Sequence, residues 1–415
     1  MNTKISERIN MPKLYCGKNM IDQSQREFQT EYEKSIPLKV QKVKNGIVHP
    51  LISNCNSHET SGGVTDEYSK FIELSLTKRV SPPNFPCEFT DWYSGASQNF
   101  ESNSAEYIDE DVVFLGALSS HYGHFITEGL ARLWFFLDSE NAHYKCVYIS
   151  DSRNNRFLDC FRFFGIKDQD LIEITKPTRF RSVIVPEQSI RLHDYCHSKY
   201  KETIDKIKEK IEPAAYAKVF FSKANSGSGR AIGELPIQDI FEKNGFTVFI
   251  PEKMSMYETI SVLKGCHEFV ATSGTNIHNS IFMEDGKTTI CLNRSAHFHP
   301  LQTMIDSMKK LKATYVDIFI FSTNNNFGNE PCFVMMTSSL RQFFNDRNLR
   351  YNNIFILAIT PFYFVRYLSY PLNKKIMSLY GDMISSDYRS VRFVAEMLRK
   401  VKRLIASGNI FSRPT

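Results

Sequence analysis

The sequence predicts an α/β protein with two doubly wound halves and a helical tail. Between about residues 109 and 294, short apolar segments alternate with segments whose apolar residues recur every three or four positions. A charged segment that ends at Pro213 divides this alternation into two series. The length of 415 residues also exceeds what one hydrophobic core usually holds. Such alternation favours a parallel sheet with helices on both faces.

The first series follows about 45 polar residues and a turn-rich region. Its strands contain Val, Ile and Phe, and its helices show apolar residues on one face. We predict strands at residues 112–115, 146–149, 171–174 and 181–185, and helices at residues 125–137, 155–164 and 201–212.

The second series shows the same alternation of strand and helix segments, with more turn-forming residues between them. We predict strands at residues 218–222, 247–250, 268–271 and 287–293, and helices at residues 237–244, 255–266 and 276–283. These series divide the chain into one domain at residues 1–212, a second at residues 213–345 and a tail at residues 346–415.

The tail carries the net charge of the chain. From residue 361 onward there are ten Lys or Arg and three Asp or Glu, a net +7, whereas the whole chain carries +6, which leaves −1 for the rest. A neutral body argues against a nucleic-acid partner. Residues 389–405 show apolar residues at helical spacing among basic ones, beside an aromatic stretch at residues 353–372. This pattern predicts either a peripheral contact with anionic membrane or a closing helix that packs on the first domain.

Cysteine use and the N-terminal residues bound the class of protein. The nine cysteines are scattered without a Cys-x-x-Cys pair, which predicts neither a disulfide framework nor a thiolate zinc site. Reduced thiols fit a cytoplasmic protein. The N-terminal residues have no apolar core of a secretory signal, and no apolar run reaches the roughly 18 residues of a spanning helix. We expect a cytoplasmic protein, with any membrane contact on the inner face of the plasma membrane.

A short segment after the strand at residues 112–115 brings together two imidazoles, a carboxylate and a guanidinium. His124 and Glu128 are four residues apart, so a helix places them side by side, and His121 lies in the preceding turn. Three interpretations compete. Glu128 can pair with Arg132, the histidines and carboxylate can bind zinc, or they can form a general base. The metal site is the weakest, because no third compact ligand group lies nearby.

Two turns in the second series suit phosphate. The loop between Lys223 and Arg230 contains two glycines, although it lacks the lysine and hydroxyl of a Walker loop. The turn at residues 273–279 enters a helix, whose first amides carry about half a positive charge. The alternatives are a plain surface loop and ordinary N-capping by Ser273 or Thr275. Because both turns follow strands of one sheet, together they favour a diphosphate.

With these motifs in place, the chain resembles glycosyltransferase family 61 from about residue 109 to residue 294. Members show a His-aromatic-x-x-Glu/Asp segment before Arg-Leu/Trp, to which His124, Glu128, Arg132 and Trp134 are similar. The further similarities, in chain order, involve Phe221, Ser222, Lys223, Arg230, Gly233, Glu234, Pro251, Glu252, Gly274, Asn279 and Phe282. Members usually show Arg at the position of Lys223, often His at that of Ser273, and an acidic residue at that of Cys291.

The resemblance implies a GT-B-like architecture, with two Rossmann-like domains facing a central cleft and inversion at the sugar's anomeric carbon. Residues 1–212 would form the acceptor-side domain and residues 213–345 the nucleotide-sugar-binding domain. The donor would be a UDP-sugar or another NDP-sugar, with no separate cofactor and no required metal. The acceptor would be a glycan or a lipid-linked glycan.

Site residues follow from the motifs and the resemblance together. The catalytic candidates are His121, His124 and Glu128, with His124 or Glu128 as the base and the other orienting it. The donor-binding candidates are Lys223, Arg230, Glu252, Ser273, Gly274, Thr275, Asn276 and Asn279.

The predicted function is transfer of a hexosyl or pentosyl group in the synthesis of surface polysaccharide, such as capsule or lipopolysaccharide. Two alternatives belong to other classes. One is a metal-dependent hydrolase that uses His121, His124 and Glu128, and the other is a non-catalytic scaffold that binds a sugar nucleotide.

Overall fold

A computed structural model describes residues 11–17, 21, 33–34, 36–53, 60–78, 105–150, 158–192, 194–224, 231–295, 297–321 and 331–384. Three predicted features lie at least partly outside the described residues. They are the start of the helix at residues 155–164, the phosphate loop from residue 225 to Arg230, and the basic helix at residues 389–405.

The described strands and α-helices follow one another through both series. The strands are β1 (Lys13–Tyr15), β2 (Glu33–Lys34), β3 (Val40–Lys44), β4 (Ile47–Ser53), β5 (Thr60–Thr65), β6 (Glu106–Leu118), β7 (Lys145–Ser150), β8 (Leu171–Glu173), β9 (Thr178–Pro186), β10 (Ile190–Arg191), β11 (Tyr195–His197), β12 (Lys218–Phe221), β13 (Ala231–Ile232), β14 (Thr247–Phe249), β15 (Glu268–Thr272), β16 (Thr288–Asn293), β17 (Lys312–Asp317), β18 (Phe319–Phe321) and β19 (Cys332–Val334). The helices are α1 (Tyr122–His124), α2 (Asp159–Arg162), α3 (Ser198–Glu209), α4 (Glu234–Lys243), α5 (Met256–Gly265), α6 (Thr275–His278), α7 (Pro300–Met308), α8 (Ser338–Asp346) and α9 (Asn353–Ile384).

The second series forms a six-stranded sheet in the order β14-β12-β15-β16-β17-β1. Every pair in it is parallel. Successive side chains of β12 enter different cores, since Val219 and Phe221 pack with one apolar cluster and Phe220 with another. Helices therefore cover both faces, and the α/β prediction is confirmed for this half.

The first series forms a seven-stranded mixed sheet in the order β5-β4-β9-β6-β7-β8, with β3 also paired to β9. Strands β9, β6, β7 and β8 are parallel neighbours, as the alternation predicts. Strands β3 and β4 run antiparallel to β9, and β5 antiparallel to β4. The added antiparallel strands come from residues 40–65, upstream of the region where helices and strands alternate.

Helix α3 joins the two sheets. Its side chains Tyr200, Ile204 and Ile207 are completely buried. It packs on residues 133–137 from the first sheet's side, and on α5 and residues 279–282 from the second. One continuous apolar cluster thus contains residues of both sheets.

The N-terminal strand corrects the predicted domain assignment. Residues 1–212 were assigned to the first domain, but β1 pairs in parallel with β17 at the edge of the second sheet. Tyr15 explains the attachment, because its ring packs edge-on to Phe343 and its hydroxyl donates to Asp346 at 2.9 Å. The boundary near residue 212 remains a prediction.

The segment predicted as a helix at residues 125–137 is not a continuous α-helix. After α1, residues 125–129 form a π-helical turn, and residues 133–137 form a 3-10 helix. Gly129 and the β-branched Ile126 and Thr127 have weak α-helical propensity. Arg132 also donates to the backbone carbonyls of Pro186 in β9 and Leu76 in a distant loop, which fixes the chain in a different direction. Single π-helical turns are frequent at functional sites.

Two further observations concern the described part of the chain. No helix there is long and apolar enough to cross a membrane. The seven described cysteines are free thiols, and six of them are buried.

We predict that Gly233→Ala destabilises the protein more than Gly245→Ala. Both glycines have positive φ, 107° and 87°, so each substitution costs about 1–2 kcal/mol of backbone strain. A Cβ at residue 233 would also overlap the carbonyl oxygen of Val334, whereas one at residue 245 meets open space. Urea denaturation should show an additional loss of about 1–3 kcal/mol for Gly233→Ala. Equal losses would contradict the packing of α4 against β19.

Candidate active site

The histidine turn is held in place at the carboxyl end of β6. The backbone N–H of His121 donates to the Ser119 hydroxyl at 3.1 Å. The Thr127 hydroxyl donates to the carbonyl of Gly123 at 2.8 Å, and Tyr200 from α3 donates to the carbonyl of Ile126. These bonds fix the direction in which the turn presents its imidazoles.

His124 and Glu128 form a hydrogen-bonded pair. Nδ1 of His124 lies 3.0 Å from Oε2 of Glu128, and the carboxylate is only 3% exposed while the imidazole is 27% exposed. An ionised carboxylate only accepts hydrogen bonds, so Nδ1 carries the proton and Nε2 is the basic nitrogen of the ring. The His121 ring lies 5.0 Å from the His124 ring, centroid to centroid. The structure therefore brings the three catalytic candidates together.

Arg132 does not pair with Glu128, so the predicted ion pair between these two residues is wrong. Its guanidinium is buried and donates to the backbone carbonyls of Pro186, Leu74 and Leu76 at 2.8 to 3.0 Å. Burial lowers the pKa of Arg132 to about 10. Its role is to tie the histidine segment to the first sheet.

Both candidate phosphate turns lie at the switch point of the second sheet. The chain passes outward from β12 to β14 and then returns to place β15 on the other side of β12. In such sheets, ligands bind at the carboxyl ends beside the point where the strand order reverses. Lys223 follows β12 and residues 273–275 follow β15, so the two turns flank this point.

The turn at Gly274 opens a helix with no side-chain cap. Gly274 is the N-cap residue of α6, with φ of 107°, and neither Ser273 nor Thr275 caps the helix. The N-capping alternative is therefore wrong. Ser273 instead accepts from Arg294, through its hydroxyl at 3.2 Å and its carbonyl at 2.8 Å. A Cβ on Gly274 would lie 3.1 Å from Nη2 of Arg294, so the guanidinium lies against this turn.

The two halves meet at this turn. The Tyr122 hydroxyl donates to Oδ1 of Asn279 at 2.6 Å. A Cβ on Gly123 would lie 3.1 Å from the hydroxyl oxygen of Thr275. The histidine turn of the first sheet and the start of α6 are thus in direct contact, and the acid–base candidates lie beside the anion-binding candidates.

The remaining donor-binding candidates differ in exposure. Asn276 and Asn279 are buried, and Asn279 also donates to the carbonyls of Thr275 and Asn276. Lys223 is half-buried and Glu252 is exposed. Arg230 lies outside the described residues. Asn279 therefore connects the halves, whereas Lys223 and Thr275 are partly exposed.

Arg294 and Glu234 lie against the two candidate phosphate turns, and sequence reasoning did not select either as a site residue. Glu234 begins α4, is 1% exposed, and accepts the backbone N–H of Lys223 at 2.8 Å. Its second oxygen, Oε2, is buried and has no partner among the described residues. Burial raises the pKa of Glu234 to about 7, although the charges of Lys223 and Arg294 oppose this rise. A charged residue directly after a buried strand, as Arg294 follows β16, was the available signal.

A buried polar chain lies behind the site. Nδ1 of His278 lies 3.0 Å from Oε1 of Gln302, whose amide nitrogen donates to Asp306 at 2.8 Å. Asp306 also accepts from the Tyr315 hydroxyl. Burial lowers the pKa of His278 to about 4, and the charges of Lys223, His124 and His121 lower it further. His278 is therefore neutral near pH 7, and its Nδ1 carries the proton.

The described residues contain no group of three or more His, Cys, Asp or Glu side chains that could hold a metal ion. The hydrolase alternative thus gains no support from the arrangement around His121, His124 and Glu128.

We predict that Glu234→Gln becomes more stabilising as the pH rises. Well below pH 4.5 the carboxyl is protonated in both the folded and the unfolded state, so its raised pKa does not lower the free energy of unfolding there. Above that pH the unfolded chain ionises first. The cost grows until about pH 7 and then stays constant. Gln keeps an oxygen for the Lys223 N–H. The melting temperature of the variant relative to the parent should rise by roughly 2–5 °C between pH 5 and pH 8.

The control for this measurement is Glu242→Gln, which changes an exposed carboxyl of the same helix. Its effect should not vary over this range. A Glu234→Gln difference that stays flat or falls with pH would show that the carboxyl is not buried as described.

The comparison with known families matches the region that forms this site. A family model described as Glycosyltransferase 61 matches residues 122–291. The match begins in the histidine turn and ends in β16, so it includes both the His124–Glu128 pair and the turn at Gly274. No curated protein matches the chain. This match confirms the predicted resemblance to glycosyltransferase family 61 over residues 122–291.

Proposed function

We propose that the protein is an inverting glycosyltransferase that moves a sugar from a nucleoside diphosphate to a hydroxyl of a glycan or lipid-linked acceptor. The match to the glycosyltransferase 61 model over residues 122–291 supports glycosyl transfer from a nucleotide sugar in general. The observation that carries the finer proposal is the contact between the histidine turn and the start of α6. It places a hydrogen-bonded imidazole next to a turn with uncapped amides and a guanidinium.

In this mechanism His124 is the base and Glu128 orients it. The acceptor hydroxyl gives its proton to Nε2 of His124 as its oxygen bonds to the anomeric carbon. The bond from that carbon to the diphosphate oxygen breaks on the opposite face, and the electron pair leaves with the diphosphate. His124 is the better candidate because Glu128 is 3% exposed and its Oε2 already accepts from Nδ1. The imidazolium that forms is stabilised by the adjacent carboxylate.

Positive groups of the second sheet would stabilise the leaving diphosphate. The first N–H groups of α6 lack a side-chain cap, and the Arg294 guanidinium lies beside Gly274. Lys223 follows β12, the strand that pairs with β15. Preorganised donors and cations aimed at a developing charge are usually the largest contribution to catalysis. The donor is expected to be a UDP-sugar or another NDP-sugar, because a diphosphate fits two adjacent anion-binding turns.

A GT-B arrangement is part of this proposal. It is supported by two sheets whose parallel strands β6, β12 and β15 all direct their carboxyl ends to the site residues. In this arrangement, the first sheet would receive the acceptor and the second the donor. Whether the transferred sugar is a hexose or a pentose depends on the space beside His124 once the donor is bound.

We further propose a role in surface polysaccharide synthesis, such as capsule or lipopolysaccharide, at the cytoplasmic face of the plasma membrane. The support is the net +7 of the residues from 361 onward, in a chain whose other residues sum to −1. A basic tail of this kind would bring the enzyme to a lipid-linked acceptor on an anionic membrane.

The test is nucleotide release from a panel of nucleotide sugars, with and without candidate acceptors. We expect the parent protein to release nucleotide from one donor. His124→Ala and Glu128→Gln should each lower that rate about 10²–10⁴-fold, because each removes part of the base. His143→Ala is the matched control, since His143 is exposed and outside the site, and it should leave the rate unchanged.

Full activity in both site variants would contradict the assigned base. Loss of activity on treatment with a chelator, together with release of sugar to water, would favour the hydrolase. Tight binding of a nucleotide sugar with no turnover by the parent protein would favour the scaffold.

A further inference from the structure

Helix α9 turns an apolar face outward. Seven large apolar side chains between residues 354 and 368 are exposed, and the most open are Ile354 at 81%, Val365 at 63% and Phe362 at 62%. At 100° per residue, these exposed positions fall on one continuous side of the helix. Among residues 354–368, Arg366 is the single exposed charged side chain. Monomeric soluble proteins rarely expose so concentrated an apolar surface.

The opposite side of α9 is attached to the protein. Ile356 and Tyr367 are buried. The Phe333 ring of β19 lies 6.0 Å from the Tyr367 ring and 5.7 Å from the Phe364 ring. The helix therefore has a fixed orientation, and its outward apolar face is a property of the folded protein.

The positive charge on and after α9 distinguishes the surfaces that could cover this face, which are a second copy, the C-terminal residues and an anionic membrane. Arg366, Lys374 and Lys375 lie on α9, whose other charged residue is Asp382, and residues 385–415 carry seven Lys or Arg against two Asp or Glu. A second copy would bring two such positive segments together. Residues 385–415 would do the same if they folded over α9. Like charges at close range are destabilising, whereas an anionic surface is attracted.

We propose that the outward face of α9 is a membrane-docking surface that inserts its apolar side chains into the headgroup region of an anionic bilayer. An apolar stripe rich in Phe, Leu and Ile beside basic residues is the pattern of helices that lie in the membrane interface. This surface lies on α9, within the tail at residues 346–415, and adds insertion of apolar side chains to the electrostatic contact proposed above. Because α9 is anchored to the protein on one side, the contact is peripheral.

The docking surface also lies close to the donor side of the site. Helix α9 packs on β13 and β19, and Cys332 of β19 is within hydrogen-bonding reach of Arg294. A bilayer against α9 would therefore lie one layer of structure away from the guanidinium at Gly274. If the proposed function is correct, this position presents the site to a lipid-linked acceptor.

The test is flotation of the full chain with vesicles of phosphatidylcholine containing phosphatidylglycerol. The parent protein should float with these vesicles and much less with phosphatidylcholine alone. Phe362→Asp/Val365→Asp should lower the partition coefficient about tenfold or more, because it removes two insertion anchors and adds two negative charges. Ile354→Asp is the second variant, at the most exposed position.

The matched control is Tyr68→Asp, which changes an aromatic side chain that is 84% exposed in a turn of the first half. It should float as the parent does. Equal flotation of the α9 variants and the parent would overturn the proposal. So would a parent protein that is dimeric by light scattering and becomes monomeric in the α9 variants, since a second copy would then cover the face.

In the remaining outcome that would overturn the proposal, residues 385–415 cover the outward face of α9. In that case the α9 variants would lower the melting temperature relative to Tyr68→Asp, and the parent would not float. Flotation does not require turnover, so a protein that floats without transferring sugar would refute the proposed function and leave the docking surface in place.

Discussion

The contact between the histidine turn and the start of α6 is the constraint on which the rest of the structure depends. The Tyr122 hydroxyl bonds to Asn279, and Gly123 lies against Thr275, so two sheets from different parts of the chain meet at one point. A side chain at residue 123 would separate them. The continuous core through α3 holds this contact, since Tyr200 of that helix also bonds to the backbone of the histidine segment.

Burial shifts the pKa values of several ionisable groups around this contact. The site gathers cationic groups from Lys223 and Arg294, and the acids near them are buried at Glu234 and Asp306, whose pKa values burial raises to about 7. Each of these acids therefore carries its full negative charge only above about pH 7. The same effect keeps His278 neutral, while His124 remains partly exposed beside an acceptor carboxylate. The arrangement leaves positive charge for an anion and a basic nitrogen next to it.

Much of the fold could be predicted from the sequence because apolar periodicity reports burial directly. Strands β6, β7, β12, β15 and β16 lie where their apolar runs predict. The pairing of β3 and β4 with β9 and the pairing of β1 with β17 could not be predicted, because the partner strands are more than 100 residues apart in sequence. The break at residues 125–137 likewise depends on the carbonyls of Pro186 and Leu76, to which Arg132 donates and which are more than 50 residues away in sequence.

The candidate site divides in the same way. The spacing of His124 and Glu128 predicted their side-by-side placement, since the two are local to one turn. Arg294 is 20 residues from Gly274 in sequence, and only the pairing of β15 with β16 brings them together. The role of Arg132 was the clearest error, because its spacing from Glu128 suggested a local ion pair whereas backbone carbonyls take its donors.

The most direct test of this account is a crystal structure of the protein with a bound nucleoside diphosphate. We expect the diphosphate within hydrogen-bonding distance of the Thr275 backbone N–H and the Arg294 guanidinium, with its terminal oxygen facing the His124 imidazole. A diphosphate bound elsewhere, or one at this turn whose terminal oxygen faces away from His124, would contradict it.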